Sequence, residues 1–460
     1  MAKTRWKQGD LVETEITDLS DTGDGVGRID QLVVFVPDTV PGDRVVVRLV
    51  NVKPKYALAK VKELLQPSSH RIRPACIVAD KCGGCQWQHI NYQYQLAAKR
   101  KAVIQALQKI GGFTQPRVDE VLTAGEPLDY RNKATYPVGI SSSGGVIAGY
   151  YQKSSHQIVN LNQCPVQDSR LNPFLTQVKQ DIQSNGWEIY HEGSHNGIIR
   201  HLGLRIGRRT GEVLLTLVVK DWILPGIEQQ AQEWLDHYPP LVGVMLNRNG
   251  DRTNAIFGNE TRLIAGTSYL EEEFADLKWK IRAETFFQVN TETAEALLYE
   301  IQSELNLQGN EILVDAYCGI GTLTLPLAKQ VHLAIGLEIQ EYSVAAAQIN
   351  AQYNHINNVT FHWGKVEELL SRISSKPDIV ILDPPRKGCE PSVIETLRKA
   401  KPARIVYVSC KAATLARDLK QLCQDDLYTL SRVQPADFFP QTAHVEVAAF
   451  LVRSNLVKDT

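Results

Sequence analysis

The sequence predicts a multidomain α/β protein: a small N-terminal β-barrel, a central α+β region and a C-terminal doubly wound parallel sheet. Three observations carry this reading. The 460 residues correspond to about three domains. Short β-branched segments separated by turn residues fill the first 66 residues. From residue 311 onward, strands and helices alternate at the spacing of βαβ units. Apolar residues at 43% and charged residues at 22% are an ordinary globular balance, which excludes disordered, collagen-like and disulfide-scaffold classes.

In residues 1–66, Leu11–Ile16, Leu32–Pro37, Arg44–Val52 and Tyr56–Leu64 read as strands, with Asp24-Gly25 and Pro41-Gly42 as turns. This fits a barrel of the oligonucleotide-binding type. Residues 67–285 form the central region. It opens with a cysteine-containing stretch and a helix over Tyr92–Ile110, with Leu96, Val103, Ile104 and Leu107 on one face and Lys99, Arg100, Lys101 and Lys109 around the polar side. Strands at Gly145–Tyr151, Leu202–Ile206, Val213–Val219 and Val242–Leu246 and helices at Asn172–Asn185 and Ile227–His237 follow. Residues 286–460 carry the alternating pattern. Its strands are Ile312–Ala316, Leu333–Ile339, Val359–Trp363, Ile379–Leu382 and Ile405–Val408, closed by Leu427–Val433 and Val445–Val452. Helices are expected at Thr322–Gln330, Tyr342–Tyr353, Val366–Ile373, Pro391–Lys399 and Ala413–Cys423.

The net charge of −1 by itself argues against a nucleic-acid partner, but it averages two unlike parts. From Arg44 to Arg117 there are 14 Lys/Arg and only two acids, Glu63 and Asp80, a local +12. Such a block is a footprint for a polyanion or a face balanced by acidic neighbours. The start, MAKTRWKQGD, lacks the apolar core of a leader, and no apolar run approaches a bilayer span. A cytoplasmic protein without membrane contact is expected, so the eight cysteines invite metal or catalytic readings.

Ligands of doubly wound sheets sit at the carboxyl ends of strands. The first strand there runs into Asp315-Ala-Tyr-Cys-Gly-Ile-Gly321-Thr322. Gly319 and Gly321 admit close backbone approach before a helix N-terminus. The third glycine of a dinucleotide fingerprint is Thr324, which disfavours a pyrophosphate. Glu338 ends the next strand, about 20 residues on, where a carboxylate accepts ribose hydroxyls. This set fits S-adenosylmethionine better than NAD. Asp383-Pro384-Pro385-Arg386 makes a rigid loop after the fourth strand. Cys410 follows the next strand, beside Lys411 and the start of a helix. Both should depress its pKa and favour thiolate. Glu446 enters an otherwise apolar closing strand, where it is costly unless used or paired, for example with Arg386 or Lys387. A desolvated Glu is a competent general base. A thiolate and a base suit methylation of uracil carbon 5: addition at carbon 6 makes carbon 5 nucleophilic, and the base later removes its proton.

Phe286-Phe-Gln-Val-Asn290, Asp315–Gly321, Asp383–Arg386, Ser409-Cys410, Ala413-Thr-Leu-Ala-Arg-Asp418 and His444-Val-Glu446 resemble the RNA (uracil-5-)-methyltransferases over nearly the whole chain. Residues 7–64 look like that family's RNA-binding TRAM domain. The resemblance implies Cys410 as nucleophile and Glu446 as base, with cofactor contacts from Gln288, Tyr317, Glu338 and Asp383. Thr322 matches a polar cofactor position where some relatives carry Asn. The usual Ser-Cys-Asn-Pro reads Ser-Cys-Lys-Ala.

Cys76, Cys82 and Cys85, with Cys164 before Pro165, can hold a [4Fe–4S] cluster or a zinc; spacing alone does not choose. They resemble the iron–sulfur subset of the family that modifies 23S ribosomal RNA, which implies the cluster. Tyr130–Lys133 and Gly197–Leu202 look like substrate-domain motifs, making Arg131, Lys133 and Arg200 candidate phosphate contacts. Phe286 is a candidate to stack on a flipped uracil, or else a core residue. The expected partner is 23S ribosomal RNA and the expected state a monomer. The alternatives are the same chemistry on transfer RNA and a non-catalytic RNA-binding protein on a methyltransferase fold.

Overall fold

The computed structural model describes residues 6–373 and 375–457; residues 1–5, part of the leader argument, lie outside them. Strands Leu11–Leu19, Gly25–Ile29, Leu32–Val36, Arg44–Val52 and Tyr56–Gln66 form a closed barrel in the order first, second, third, fifth, fourth. Their alternating pattern buries Ile16, Val34, Val45, Val47, Leu49 and Ala57 inside. The second strand was not expected, because its glycines read as a turn. They serve close approach instead: a Cβ on Gly27 would lie 2.7 Å from the Thr14 hydroxyl.

The central region is built on a seven-stranded sheet. Its order is Glu260–Gly266, Leu241–Arg248, Val213–Val219, Ile199–Ile206, Lys133–Ile140, Val146–Tyr151 and Ile158–Asn160. One pair, Val213–Val219 with Leu241–Arg248, is parallel, with helix Ile227–His237 as its crossover.

The C-terminal sheet has the order Val359–Trp363, Leu333–Glu338, Ile312–Ala316, Ile379–Leu382, Arg404–Ser409, Glu446–Arg453, Tyr428–Ala436. The first five strands are parallel, and Glu446–Arg453 runs antiparallel between its neighbours. Chain order reverses between Ile312–Ala316 and Ile379–Leu382. That reversal opens a crevice at their carboxyl ends. Helices pack on both faces, around cores containing Leu313, Ile381 and Phe450 on one side and Val314, Leu382 and Tyr407 on the other. The helix expected from Thr322 shortens to Thr324–Ala328, since the glycine loop takes up its first residues. Val366–Ile373 divides into a helix, Val366–Leu369, and a 3₁₀ turn, Leu370–Arg372.

Helix Tyr92–Ala106 ends in a π-turn at Leu107–Gly111, with Gly112 left-handed at φ 78°. Its polar side is not all solvated. Lys99 is fully buried, and Arg100 donates to the carbonyls of Val118 and Asp119. Val103 and Leu107 join the core of the C-terminal sheet, as does Val118. Periodicity misplaced Lys99 because a buried acid far along the chain faces it. Among the described residues no helix is long and apolar enough to cross a membrane.

Candidate active site

At the chain-order reversal, Ala316 is paired with Leu382, so the glycine loop and Asp383 leave the sheet side by side. The loop's backbone is left-handed at Tyr317 (φ 73°), Gly319 (φ 56°) and Gly321 (φ 89°). A non-glycine residue there is strained and must be held. The amides of Tyr317 and Cys318 both donate to the Leu337 carbonyl, at 2.9 and 3.0 Å. Glu338, buried at the end of that strand, accepts from the Gly319 amide at 3.1 Å and the Gln340 amide at 2.7 Å. It therefore fixes the loop and keeps lone pairs for a ligand.

Beneath the loop, Asp315 is fully buried. The Thr324 hydroxyl donates to its Oδ2, and among the described residues Oδ1 has no hydrogen-bond partner. Burial pushes the Asp315 carboxyl up to about 7, and Asp383 and Glu338 add to the rise. Asp315, Glu338 and Asp383 thus bring three carboxyl groups to one crevice, where a bound positive group would favour their ionised forms. Thr324 stands where a dinucleotide fingerprint has a glycine, and its hydroxyl is what holds Asp315.

Ser409 pairs with Val447 across antiparallel strands. Continuing that register sets Cys410, half-buried at the strand end, opposite Glu446, which is buried. The Cys410 thiol is not depressed as expected. Burial raises it, and Glu446 and Asp383 raise it further, against an opposing pull from Arg386. Lys411 is exposed at the start of helix Ala412–Leu422, so water screens its charge. Burial and Asp383 push the Glu446 carboxyl well above the carboxylate range, and burial pushes Asp383 up to about 7. Neither expected salt bridge to Glu446 forms. Lys387 pairs with Glu390, and Arg386 Nη2 lies 3.4 Å from His444 Nε2. Burial, Arg386 and Lys99 hold His444 toward its neutral form.

The Asp383–Cys389 loop is anchored to helix Ala412–Leu422. Asp418 Oδ2 accepts from Tyr407 Oη at 2.6 Å and the Cys389 amide at 3.0 Å, and Arg417 Nη2 donates to the Lys387 carbonyl at 2.9 Å. These residues lie in the Ala413–Asp418 motif, but no periodicity reveals their role. Gln288 and Thr322 are half-buried. Among the described residues no side-chain hydrogen bond joins either to the other candidates.

Cys76, Cys82, Cys85 and Cys164 all line one cavity of about 140 Å³, together with Tyr130, Tyr150 and Thr442. Burial, and then the neighbouring thiols, push Cys85 up to about 12 and Cys164 up to about 11. Holding these sulfurs as thiolates therefore requires a bound cation. Among the described residues no group of three or more His, Cys, Asp or Glu is set to hold a single metal ion. A tetrahedral zinc at about 2.3 Å from each sulfur would need all four to converge. A cluster binds each thiolate at a different iron and tolerates wider spacing. The Gly84 amide donates to Cys82 Sγ at 3.4 Å and Gln88 Nε2 donates to Cys85 Sγ at 3.6 Å, both of which stabilise a thiolate.

Two of the three candidate phosphate contacts are structural. Arg200, with 1% of its side chain exposed, donates to the carbonyls of Asn249 and Asp251 and lies over the Tyr190 ring. Lys133 Nζ donates to the Ala283 carbonyl at 3.1 Å and sits over Phe257. Arg131 Nε donates to the Lys133 carbonyl, and its side chain borders the cysteine cavity. Phe286 is 63% exposed and Phe287 is the core residue, which removes the core reading of Phe286.

Residues 258–454 match the family described as tRNA (uracil-5-)-methyltransferase, and residues 5–62 match the TRAM domain. An uncharacterised RNA methyltransferase of Nostoc sp. (strain PCC 7120) is 70% identical over 459 residues, 100% of each chain. One of Synechocystis sp. (strain PCC 6803) is 54% identical, covering 98% of this chain and 97% of that one. The solved Pyrococcus abyssi tRNA (uracil-54, C5)-methyltransferase in complex with S-adenosyl-L-homocysteine superposes with a TM-score of 0.77 at 29% identity, covering 96% of this chain and 99% of that one. A glycine loop over three acids, a strand-end cysteine opposite a buried glutamate, and full-length similarity converge: the chain belongs to the S-adenosylmethionine-dependent RNA (uracil-5-)-methyltransferases with an N-terminal TRAM domain.

Proposed function

We propose that the protein forms 5-methyluridine in 23S ribosomal RNA by covalent catalysis, as a cytoplasmic monomer. The observation that carries the mechanism is the register that sets Cys410 opposite Glu446 beside Asp383. The Cys410 thiolate adds to carbon 6 of the uracil, and the electron pair moves onto the carbon 4 oxygen as an enolate. When bound, S-adenosylmethionine supplies an electrophilic methyl group, which carbon 5 takes while the sulfonium leaves as a neutral thioether. Glu446 removes the carbon 5 proton, the carbon 6–sulfur bond breaks, and the cysteine leaves. Gln288, Tyr317, Thr322, Glu338 and Asp383 hold the cofactor. Arg386 is placed to offset the charge that raises the thiol. Phe286, exposed beside the core anchor Phe287, is available to stack on the extruded base.

Cys76, Cys82, Cys85 and Cys164 hold a [4Fe–4S] cluster on this reading, supported by their shared cavity. The cluster takes no part in the steps above. Transfer RNA is the second reading, favoured by the similarity to the Pyrococcus abyssi enzyme. Labelled methyl uptake into purified 23S and transfer RNA separates the two. Uptake into neither, with RNA still bound, returns the non-catalytic alternative. RNA containing 5-fluorouracil should trap a covalent complex, because fluorine cannot leave as a proton does. Equal trapping by Cys410→Ala would overturn the mechanism.

A further inference from the structure

Glu446 stands at the first position of its strand, and the nine-residue segment that precedes it begins at Asp437, directly after Ala436, the cross-strand partner of Glu446. That segment is tied at its start to a lysine from a distant helix. Lys99 Nζ lies 2.6 Å from Asp437 Oδ1 and 3.1 Å from the Phe439 carbonyl, and both side chains of the pair are fully buried. Tyr92, one helix stretch earlier, donates its hydroxyl to Asp437 Oδ2 at 3.2 Å. The Phe439 carbonyl also accepts from the Thr442 amide at 3.2 Å and hydroxyl at 2.8 Å, and Thr442 Oγ1 accepts from the His444 amide at 3.2 Å. One ammonium thus fixes the start of the segment, and the Phe439–Thr442 turn with its hydrogen bond to His444 links that anchor to His444-Val445-Glu446. A lone buried lysine is costly, and replacing a buried pair by apolar groups is often neutral for stability. Stability alone therefore does not account for the pair, and geometric specification does.

We propose that Lys99 and Asp437 are positioning residues that set where the Glu446 carboxylate meets the carbon 5 proton. This rests on Glu446 acting as the base. The pair governs the last stage of the reaction: proton removal from carbon 5, followed by breakage of the carbon 6–sulfur bond. A base displaced by about 1 Å slows that stage by roughly ten- to a hundredfold. Cysteine addition and methyl transfer, which do not use it, proceed. The methylated covalent enzyme–RNA adduct then accumulates on ordinary RNA.

The test uses the full-length protein with uridine-containing RNA and S-adenosylmethionine, following the adduct on denaturing gels. Glu446→Gln is the reference and should accumulate adduct. If it does not, the base reading fails and the pair is not at issue. The double variant Lys99→Met/Asp437→Asn leaves no buried net charge, and Tyr92→Phe removes one hydrogen bond only. With Glu446→Gln positive, the proposal expects adduct to build up in the double variant, and more weakly in Tyr92→Phe. Thermal midpoint and RNA affinity should stay near those of the parent, and Lys99→Arg should restore part of the release rate. A folded double variant that releases product at the parental rate, or a uniform loss of addition and release together, overturns it. If the double variant does not fold, Tyr92→Phe decides by the same measurement.

Discussion

The crevice at the sheet edge and the cavity of the four cysteines are built on one principle from different atoms. The crevice gathers Asp315, Glu338, Asp383 and Glu446; burial pushes Asp383 up to about 7, and burial with repulsion from Asp383 and Glu338 does the same to Asp315. The cavity gathers four thiols and pushes Cys85 up to about 12. Each crowds potential anions where water solvates them poorly, so each favours its neutral, protonated form unless something positive is bound. They differ in accessibility. The crevice lies at strand ends and admits exchangeable ligands. The cavity is lined by the Cys76–Cys85 loop, whose neighbours Gln86 and Trp87 donate their amides to the Gln441 carbonyl in the segment leading to Glu446. The first arrangement suits turnover and the second a resident group.

The sharpest break in this comparison is a cysteine on each side. Cys410→Ala should abolish methyl transfer by about 10⁴-fold or more, the scale of losing a covalent nucleophile. Its thermal midpoint should stay unchanged. A stable covalent adduct in that variant would assign the chemistry elsewhere. Cys85→Ser should act the other way. Iron and sulfide assays should fall from about four per chain, and stability should drop on the order of 4 kcal/mol, as expected for a lost metal centre. Full iron content in that variant would remove Cys85 from the ligand set.

The crevice should also respond to protons near neutral pH. Asp315 and Asp383 are raised above their unfolded values, so their ionisation opposes folding as pH rises through about 7. A cation favours the ionised form. S-adenosylmethionine affinity, measured by calorimetry, should weaken as pH falls below 7, by up to about tenfold per pH unit for each group. The uncharged thioether of S-adenosylhomocysteine should show a shallower dependence, and equal slopes would place the acids away from the sulfonium. The smallest expected effect is at Arg386, a cation pulling the Cys410 thiol down. Arg386→Met should move the alkaline rise of the single-turnover rate up by about half to one pH unit. A profile that does not move would leave Arg386 with RNA contacts alone.

Much of this was legible in the chain. Strands Arg44–Val52, Val213–Val219, Ile312–Ala316, Val359–Trp363 and Ile379–Leu382 follow from local pattern alone. So do the glycine loop and the Asp383-Pro-Pro-Arg386 turn, because each is specified by residues a few positions apart. Strand Gly25–Ile29 escaped, since its glycines answer to a side chain on another strand. Arg200 and Lys99, read as surface cations, are bound inside the protein to carbonyls and to Asp437.

The sequence by itself determined which chemical groups exist and the order of the elements carrying them: a thiol after one strand, an acid entering the last, three close cysteines and one remote. Only the tertiary structure decided which of them meet. The register that brings Cys410 to Glu446, the cavity that collects Cys164 with Cys76, Cys82 and Cys85, and the burial of Lys99 against Asp437 join residues far apart in the chain. It also reversed the expected direction of the Cys410 shift. Local sequence registers a neighbouring lysine, whereas a pKa depends on every charge that shares the same poorly solvated volume.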